Sequence, residues 1–477
     1  MSATPSPRVE RIDCLRRVFH LLAIVCLLPV AAPAPGAEPR AGRPPNFIVI
    51  LADDLGYADL GHDGSGIDTP NIDRLAREGT KLTQFYAAAP YCSPTRAAFL
   101  TGRYPHSVGV PHIVSSPQPN EAPERTASRG RLSHDARTLP QALAPGGYAS
   151  MLAGKWHLGY EEGWWPRSYG FKRFWGSLAG TPKYFEPVLT YENETPIAVR
   201  EYFTDGITGQ GVQFIHDHRG QPFFLYLAYN APHCPREAPP ELVAKYEKVF
   251  GEDKAGYAAT IERMDTGIGR VLQALDDLGL AKDTMVVFTS DNGPCVCQGP
   301  LDRPRSAAPL HGHKYMTHEG GIRVPCLVRW PGRIPAGRKT DTVASIMDLF
   351  PAFLAAAGIQ PVPSRPVDGV NILPLLEGVE GSVHDDLHWE ANHAYGVRRG
   401  NWKLVQEGWV AAPYLYDLQS DPGERRDLAA RHPEKVKELV GLHEAWRRKY
   451  YPQHPPLSKT RPVWWENGAH PGFPKSR

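Results

Sequence analysis

The segment Tyr91-Cys92-Ser93-Pro94-Thr95-Arg96 sets a cysteine just ahead of a Ser-Pro step, with an arginine one helical turn beyond it. Proline's fixed φ and missing N–H suit the first turn of a helix, and Ala97 to Leu100 continue that helix, so Cys92 is expected at a helix N-terminus. Unpaired N–H groups, the positive end of the dipole and the Arg96 charge then form a receptacle for an anion. Two chemistries stay open on these residues alone: a nucleophilic thiolate of depressed pKa, or a small buried hydrophobe. Asp53, Asp54, Asp291 and Asn292 offer oxygen and neither sulfur nor imidazole, a set suited to a hard divalent cation, Ca2+ ahead of Mg2+. Gathered without a cation, such carboxylates would repel one another, and one would take up a proton. Taken singly, Asp-Asp and Asp-Asn pairs also end strands and cap turns. Lys155, His157, His233, Lys314 and Arg96 supply the positive or protonatable groups that could clamp a tetrahedral anion.

The elements that would carry these residues alternate. Phe47 to Leu51 is a continuous apolar run rich in β-branched residues, the pattern of a strand buried on both faces, and it stops at Asp53-Asp54. A helix opened by Thr69-Pro70-Asn71 and closed by Gly79 follows, then a β-like stretch from Leu82 to Ala88 that delivers the chain to Cys92. A helix over 138–144 leads to a strand through Tyr148 to Leu152, running out at Lys155 and His157. The strand Pro222 to Leu227 ends before His233. A helix over 257–278 precedes the strand Thr284 to Thr289, which stops before Asp291-Asn292. In open α/β sheets ligands bind beyond the carboxyl ends of the strands, so one crevice can gather all four polar ends. Lys314 lies outside that pattern, in a Gly- and His-rich loop running to Glu319-Gly320-Gly321-Ile322-Arg323-Val324-Pro325. A strand at 326–330 and a helix at 346–357 complete the larger part.

The expected fold is α/β, a large mostly parallel or mixed central sheet with helices on both faces, followed by a small C-terminal domain with an antiparallel sheet and one helix. The domain expectation is 46–375 for the larger unit, 384–452 for the smaller, with the helix at Pro433 to Tyr450, and 453–477 for a Pro- and Trp-rich tail anchored by Trp464-Trp465. Residues 114–137 lack any period and are expected as a long surface loop. The N-terminus carries Arg8, Arg11, Arg16 and Arg17, an apolar run from Val18 to Ala32 and small residues ending at Ala37. That is the pattern of a secretory signal over 1–37, which implies a product exported to periplasm or medium and free of the membrane after cleavage; the run is short for a span and broken by Pro29. The 53 basic and 51 acidic residues leave a net charge of +2, which gives no footprint for nucleic acid. Cys234, Cys295, Cys297 and Cys326 form an even set in a compartment that permits disulfides, with their pairing open.

Cys92-Ser93-Pro94-Thr95-Arg96 followed by Leu100-Thr101-Gly102-Arg103 resembles the signature of the formylglycine-dependent sulfatases, in which a maturation enzyme oxidises the cysteine to an aldehyde. The resemblance extends in order through Asp53-Asp54, Gly154-Lys155-Trp156-His157-Leu158-Gly159, Asn230-Ala231-Pro232-His233, Asp291-Asn292-Gly293, Lys314, Glu319 to Pro325, and Leu415-Tyr416-Asp417-Leu418 through Asp421-Pro422-Gly423-Glu424. It implies hydrolysis of a sulfate ester, of a sulfated carbohydrate or small molecule, by a formylglycine hydrate at Cys92. It implies Ca2+ held by Asp53, Asp54, Asp291, Asn292 and the modified Cys92, with Asp291 assisting the attacking hydroxyl and Arg96 holding the hydrate. It implies Lys155, His233 and Lys314 on the sulfate, protonation of the leaving alcohol by His233 or Lys314, and removal of the second hydroxyl's proton by His157. A phosphonate monoester or phosphodiester hydrolase, and a non-catalytic binder of sulfated glycan, are the alternatives. Trp164, Trp165 and Trp175 are candidates either for stacking on a sugar or for packing.

Overall fold

The computed structural model describes residues 43–115, 130–296, 306–361 and 366–461, and the expected signal at 1–37 and the Trp464-Trp465 anchor lie outside them. Its strands are β1 (Asn46–Ala52), β2 (Thr80–Leu82), β3 (Phe85–Tyr86), β4 (Ala149–Lys155), β5 (Arg173–Ser177), β6 (Thr190–Glu192), β7 (Thr195–Pro196), β8 (Phe223–Ala228), β9 (Thr284–Ser290), β10 (Arg323–Val324), β11 (Cys326–Arg329), β12 (Arg338–Thr340), β13 (Ala344–Ser345), β14 (Asp386–Ala391), β15 (Ala394–Arg399), β16 (Trp402–Glu407) and β17 (Tyr414–Asp417). Among the described residues, ten of these form one sheet in the order β12-β2-β11-β9-β1-β8-β4-β5-β6-β7. The centre of that sheet, β9-β1-β8-β4-β5, is parallel, and antiparallel pairs flank it.

Strand β1 is apolar at every position from Phe47 to Ala52 because both of its faces are covered. Phe47, Val49 and Leu51 enter a core shared with the helix Cys92–Thr101 and the helix Leu349–Ala356. Ile48, Ile50 and Ala52 enter the opposite core, shared with the helices Phe203–Asp217 and Glu252–Asp277. The expected stretch from Leu82 to Ala88 starts earlier and breaks in two: β2, ending at Leu82, lies in the large sheet, while β3 lies in a three-stranded sheet ordered β10-β3-β13. The C-terminal sheet is the expected antiparallel meander β14-β15-β16-β17. The helix Pro433–Tyr450 packs on it through Leu439, against Tyr395, Val397, Leu404 and Leu415.

No helix among the described residues is long and apolar enough to cross a membrane. Cys234 is in a disulfide, whereas Cys92, Cys295 and Cys326 are not. Residues 116–129 of the expected surface loop lie outside the described residues, and its first residue, Val114, is buried rather than on the surface.

Candidate active site

Register explains why four strand ends meet. Leu51 pairs with Ala228 across β1 and β8, Ala52 with Ser290 across β1 and β9, and Gly154 with Ala228 across β4 and β8. Neighbouring parallel strands therefore stop at the same level, and the chain beyond each delivers Asp53-Asp54, His233, Asp291-Asn292 and Lys155 to one place. The exits are stitched together: Asp53 N donates to the Ala231 carbonyl (2.9 Å), Asp291 N to the Ala52 carbonyl (3.1 Å) and Asp54 N to Asp291 Oδ1 (3.2 Å). Asp54 and His157 hold φ of +69° and +58°, a region side chains enter at a cost and which recurs at functional sites.

Cys92 opens the helix Cys92–Thr101 at this level, and one ligand atom from each of Asp53, Cys92 and Asp291 lies within 4.8 Å of the others. Asp53, Asp54 and His233 meet the same measure. Lys155 Nζ donates to Asp53 Oδ2 (2.5 Å), and Lys314 Nζ lies 2.8 and 3.0 Å from the two oxygens of Asp54. Arg96 donates from Nε and Nη2 to Asp291 Oδ2 (3.0 and 2.7 Å) and from Nη1 to the Lys155 carbonyl (3.2 Å). Asn292 Nδ2 donates to Asp54 Oδ1 (2.7 Å). The structure thus brings together all ten site residues expected from the sequence, Lys314 included.

The histidines have defined tautomers. His157 faces the Val114 carbonyl with Nε2 (2.9 Å), which must donate, so Nδ1 is the acceptor facing Cys92 Sγ at 3.3 Å. Burial, reinforced by Lys155 and Arg96, holds the His157 pKa well below its ordinary value, so the ring is neutral. His233 Nδ1 donates to the Cys234 carbonyl (2.6 Å), which turns Nε2 toward Asp54 Oδ2 at 3.5 Å. Burial and then Lys314 lower its pKa to about 4.

Burial raises the pKa of Asp53 and Asp54, but nearby cations outweigh it, Lys155 foremost at Asp53 and Lys314 at Asp54, and both stay ionised. Asp291 is different: burial and then the Asp53 charge push it up to about 7, against the pull of Arg96. Of the two chemistries open for Cys92, the structure favours the buried, protonated thiol over the depressed thiolate. Burial raises the thiol more than Lys155 and Lys314 lower it, and Arg96 spends its guanidinium on Asp291 instead of the sulfur.

The residues fit a hard cation on an observation independent of any motif. Asp53 Oδ1 and Asn292 Oδ1 are buried oxygens without a hydrogen-bond partner, and burying an acceptor unpaired costs about 1–3 kcal/mol. Oxygen acceptors left open beside ionised carboxylates are the donor set of Ca2+ or Mg2+. Two positions that the sequence reading passed over also shape the site: the Val114 carbonyl that sets the His157 tautomer, and Tyr184, whose hydroxyl donates to the His233 carbonyl (2.9 Å). A backbone acceptor leaves no residue-type signal, and Tyr184 looks like any core aromatic. The tryptophans pack: Trp175 stacks on Phe203, Trp165 lies against Tyr191, and Trp164 lies under Arg131.

A closed set of carboxylates, lysines, an arginine and neutral histidines at the carboxyl ends of a parallel sheet defines a hydrolase of anionic esters. The sulfatase family model matches residues 45–359, and the model for the C-terminal part of N-sulphoglucosamine sulphohydrolase matches residues 311–445. N-acetylgalactosamine-6-sulfatase of Canis lupus familiaris is 32% identical over 454 residues, covering 84% of this chain and 85% of the relative. Arylsulfatase A of Homo sapiens is 32% identical over 461 residues, covering 84% and 87%. The crystal structure of Ps i-CgsB in complex with k-i-k-neocarrahexaose superposes with a TM-score of 0.77 at 30% identity, covering 89% of this chain and 97% of that one. The chain belongs to the sulfatase family, and its activity is hydrolysis of sulfate esters.

Proposed function

We propose that this sulfatase acts on a sulfated carbohydrate, and on aryl sulfates in vitro, with Cys92 converted to formylglycine and Ca2+ held by Asp53, Asp54, Asp291, Asn292 and the modified residue. The observation that carries the site assignment is the pair of open buried oxygens, Asp53 Oδ1 and Asn292 Oδ1, beside Cys92 in a cluster that otherwise satisfies itself. The carbohydrate assignment is supported by two relatives: one named for an N-acetylgalactosamine sulfate and one crystallised with a neocarrahexaose.

Hydrated formylglycine supplies two hydroxyls on one carbon, so that one can attack sulfur and loss of the other's proton can expel sulfate by elimination, while Ca2+ draws off charge developing on the ester. The chain's own residues do the rest. Lys155 and Lys314, which here pair with Asp53 and Asp54, would turn to the sulfate oxygens with a cation on those carboxylates, and His233 Nε2 would join them as a donor once protonated. Arg96 fixes Asp291 by two donors to Oδ2, while Oδ1 accepts from the Asp54 N–H, and the carboxyl so held within 4.8 Å of Cys92 would assist the attacking hydroxyl. His157 Nδ1 faces Cys92 Sγ, whose place a hydroxyl of the hydrate would take, and its neutral ring would accept the proton of the second hydroxyl. Lys314 protonates the departing alcohol; His233, whose one proton is held on Nδ1, serves in its place only once Nε2 has taken up a proton.

The further parts of this proposal are an export signal over 1–37, a maturation enzyme that reads the Cys92 segment, a catalytic unit over 46–375 and a small unit over 384–452. Sulfate release from a panel of sulfated sugars, run beside an aryl sulfate and an aryl phosphonate, tests the substrate class. Turnover of a sulfated sugar at a higher kcat/KM than the phosphonate is expected; a preference for phosphorus over every sulfate ester refutes it.

A further inference from the structure

Lys314 sits on a loop with no strand to hold it, yet its ammonium is placed within 3.0 Å of both oxygens of Asp54. Two kinds of restraint fix that loop. At its tip, Lys314 N donates to the Pro294 carbonyl (2.9 Å) and Tyr315 N to the Pro90 carbonyl (2.7 Å), so the backbone is tied between the exit of β9 and the entry to Cys92. Tyr315 is held at φ +77°, a conformation that a bulky residue keeps only when its surroundings impose it.

At its neck, Gly320 N donates to the His311 carbonyl (2.5 Å) and Gly321 N to the His318 carbonyl (2.9 Å), closing residues 311–318 into a lasso. The neck is tight: a Cβ on Gly320 would fall 2.4 Å from the Gly312 oxygen. Glu319, directly before these glycines, is fully buried and is gripped from two sides, by the small C-terminal part and by Tyr86 and Arg323 (3.5 Å) of the three-stranded sheet. Lys403 Nζ of β16 lies 2.9 Å from Glu319 Oε1, and Tyr86 donates to Oε2 (2.6 Å). Glu424, in the turn after β17, accepts from the Glu319 backbone N–H (2.7 Å) and lies 3.5 Å from Lys403. Lys403, Glu319 and Glu424 are all 0% exposed, and Glu424 holds φ +50° to reach its place. The same sheet touches the lasso twice more: a Cβ on Gly396 would meet Thr317 at 3.2 Å, and His393 Nε2 lies 2.9 Å from the Tyr315 carbonyl.

Buried ion networks contribute little net stability compared with apolar packing of the same volume, so what this one adds is a fixed position for the group it grips. We propose that Lys403 and Glu424 are positioning residues for Lys314, a role that rests on the substrate contact assigned to Lys314 above. The small C-terminal sheet is then part of the catalytic apparatus without touching substrate.

A double-mutant cycle on the full-length enzyme with an aryl sulfate tests this: wild type, Lys314→Ala, Lys403→Met, and both together, each with its folded fraction checked by near-UV circular dichroism. Lys403→Met is expected to lower kcat/KM by about 10- to 100-fold, the scale of a displaced catalytic group. In the Lys314→Ala background the same change is expected to alter kcat/KM by less than about twofold, because the group it positions is gone. Wild-type kinetics in Lys403→Met, or losses that multiply in the double variant, overturn the positioning role. Near-normal activity in Lys314→Ala removes Lys314 from the site itself, and the inference with it. Should Lys403→Met not accumulate as folded protein, Glu424→Ala enters the cycle from the other side of Glu319 with the same expectations.

Discussion

Substituting Gly180 by alanine probes the site through a single methyl group. Gly180 has no motif around it, but an ideal Cβ there would stand 2.3 Å from Nε2, 2.5 Å from Cε1 and 2.8 Å from Cδ2 of His157. Carbon atoms sit comfortably only beyond about 3.4 Å, so the ring would have to retreat by about an ångström. That movement breaks the 2.9 Å bond from Nε2 to the Val114 carbonyl, which fixes the tautomer, and takes Nδ1 out of register with Cys92. A displacement of that size costs about 100-fold in rate, or about 2.7 kcal/mol of barrier. Overpacking adds about 1–3 kcal/mol of destabilisation, read separately as a lower Tm. Initial rates on an aryl sulfate, corrected for folded fraction, should therefore fall about 100-fold in Gly180→Ala. The loss should vanish when the same change is made in His157→Ala, where the ring's volume is empty. A Gly180→Ala enzyme within a few-fold of wild type, or an equal loss without the His157 ring, would refute the reasoning.

Calcium should raise Tm in the wild type, by the equivalent of about 2.7 kcal/mol at a hundredfold excess over Kd, and have no effect on Asp53→Asn or Asp291→Asn; equal shifts in all three would place the ion elsewhere. Cys92→Ser should fold and bind substrate but lose multiple turnover on an aryl sulfate, since serine has no second hydroxyl, and sustained turnover near the wild-type rate would contradict that. Away from the site, burial would raise the Glu390 pKa, but His443, 3.3 Å away, and two hydrogen bonds from Arg447 bring it from the ordinary 4.5 down to about 2. A depressed carboxyl contributes stability above about pH 4.5 that is lost as pH falls toward 2. Arg447→Met should therefore cost about 3 kcal/mol in urea unfolding at pH 7 and progressively less below pH 4.5, and a gap that ignores pH would be the wrong result.

Strands β1, β8 and β9 were legible because burial on both faces leaves an unbroken apolar run, and the helix Pro433–Tyr450 because its one apolar face repeats. The helix Phe203–Asp217 was not. Gly206, Gly209 and Gly211 give it poor propensity, yet a Cβ on Gly206 would fall 2.4 Å from the Trp175 ring and one on Gly211 2.7 Å from Leu227, so two of the three are there for close packing on the sheet. Strand β5, Arg-Phe-Trp-Gly-Ser, is too short and too mixed to declare itself. At the site, ionisable side chains ending predicted strands were visible because the sheet does their alignment. Lys314 needed the family pattern, and the contacts that hold its loop come from Pro90 far upstream and from His393, Lys403 and Glu424 far downstream, which no local pattern encodes.

The central claim, that Cys92 works as formylglycine in this cluster, is tested most directly by the mass of the peptide containing Cys92, taken from enzyme purified with measured turnover on an aryl sulfate. The account predicts a peptide carrying an aldehyde or its hydrate in place of the thiol, in a fraction that scales with specific activity between preparations. Full activity from protein whose Cys92 is entirely an unmodified thiol would contradict it.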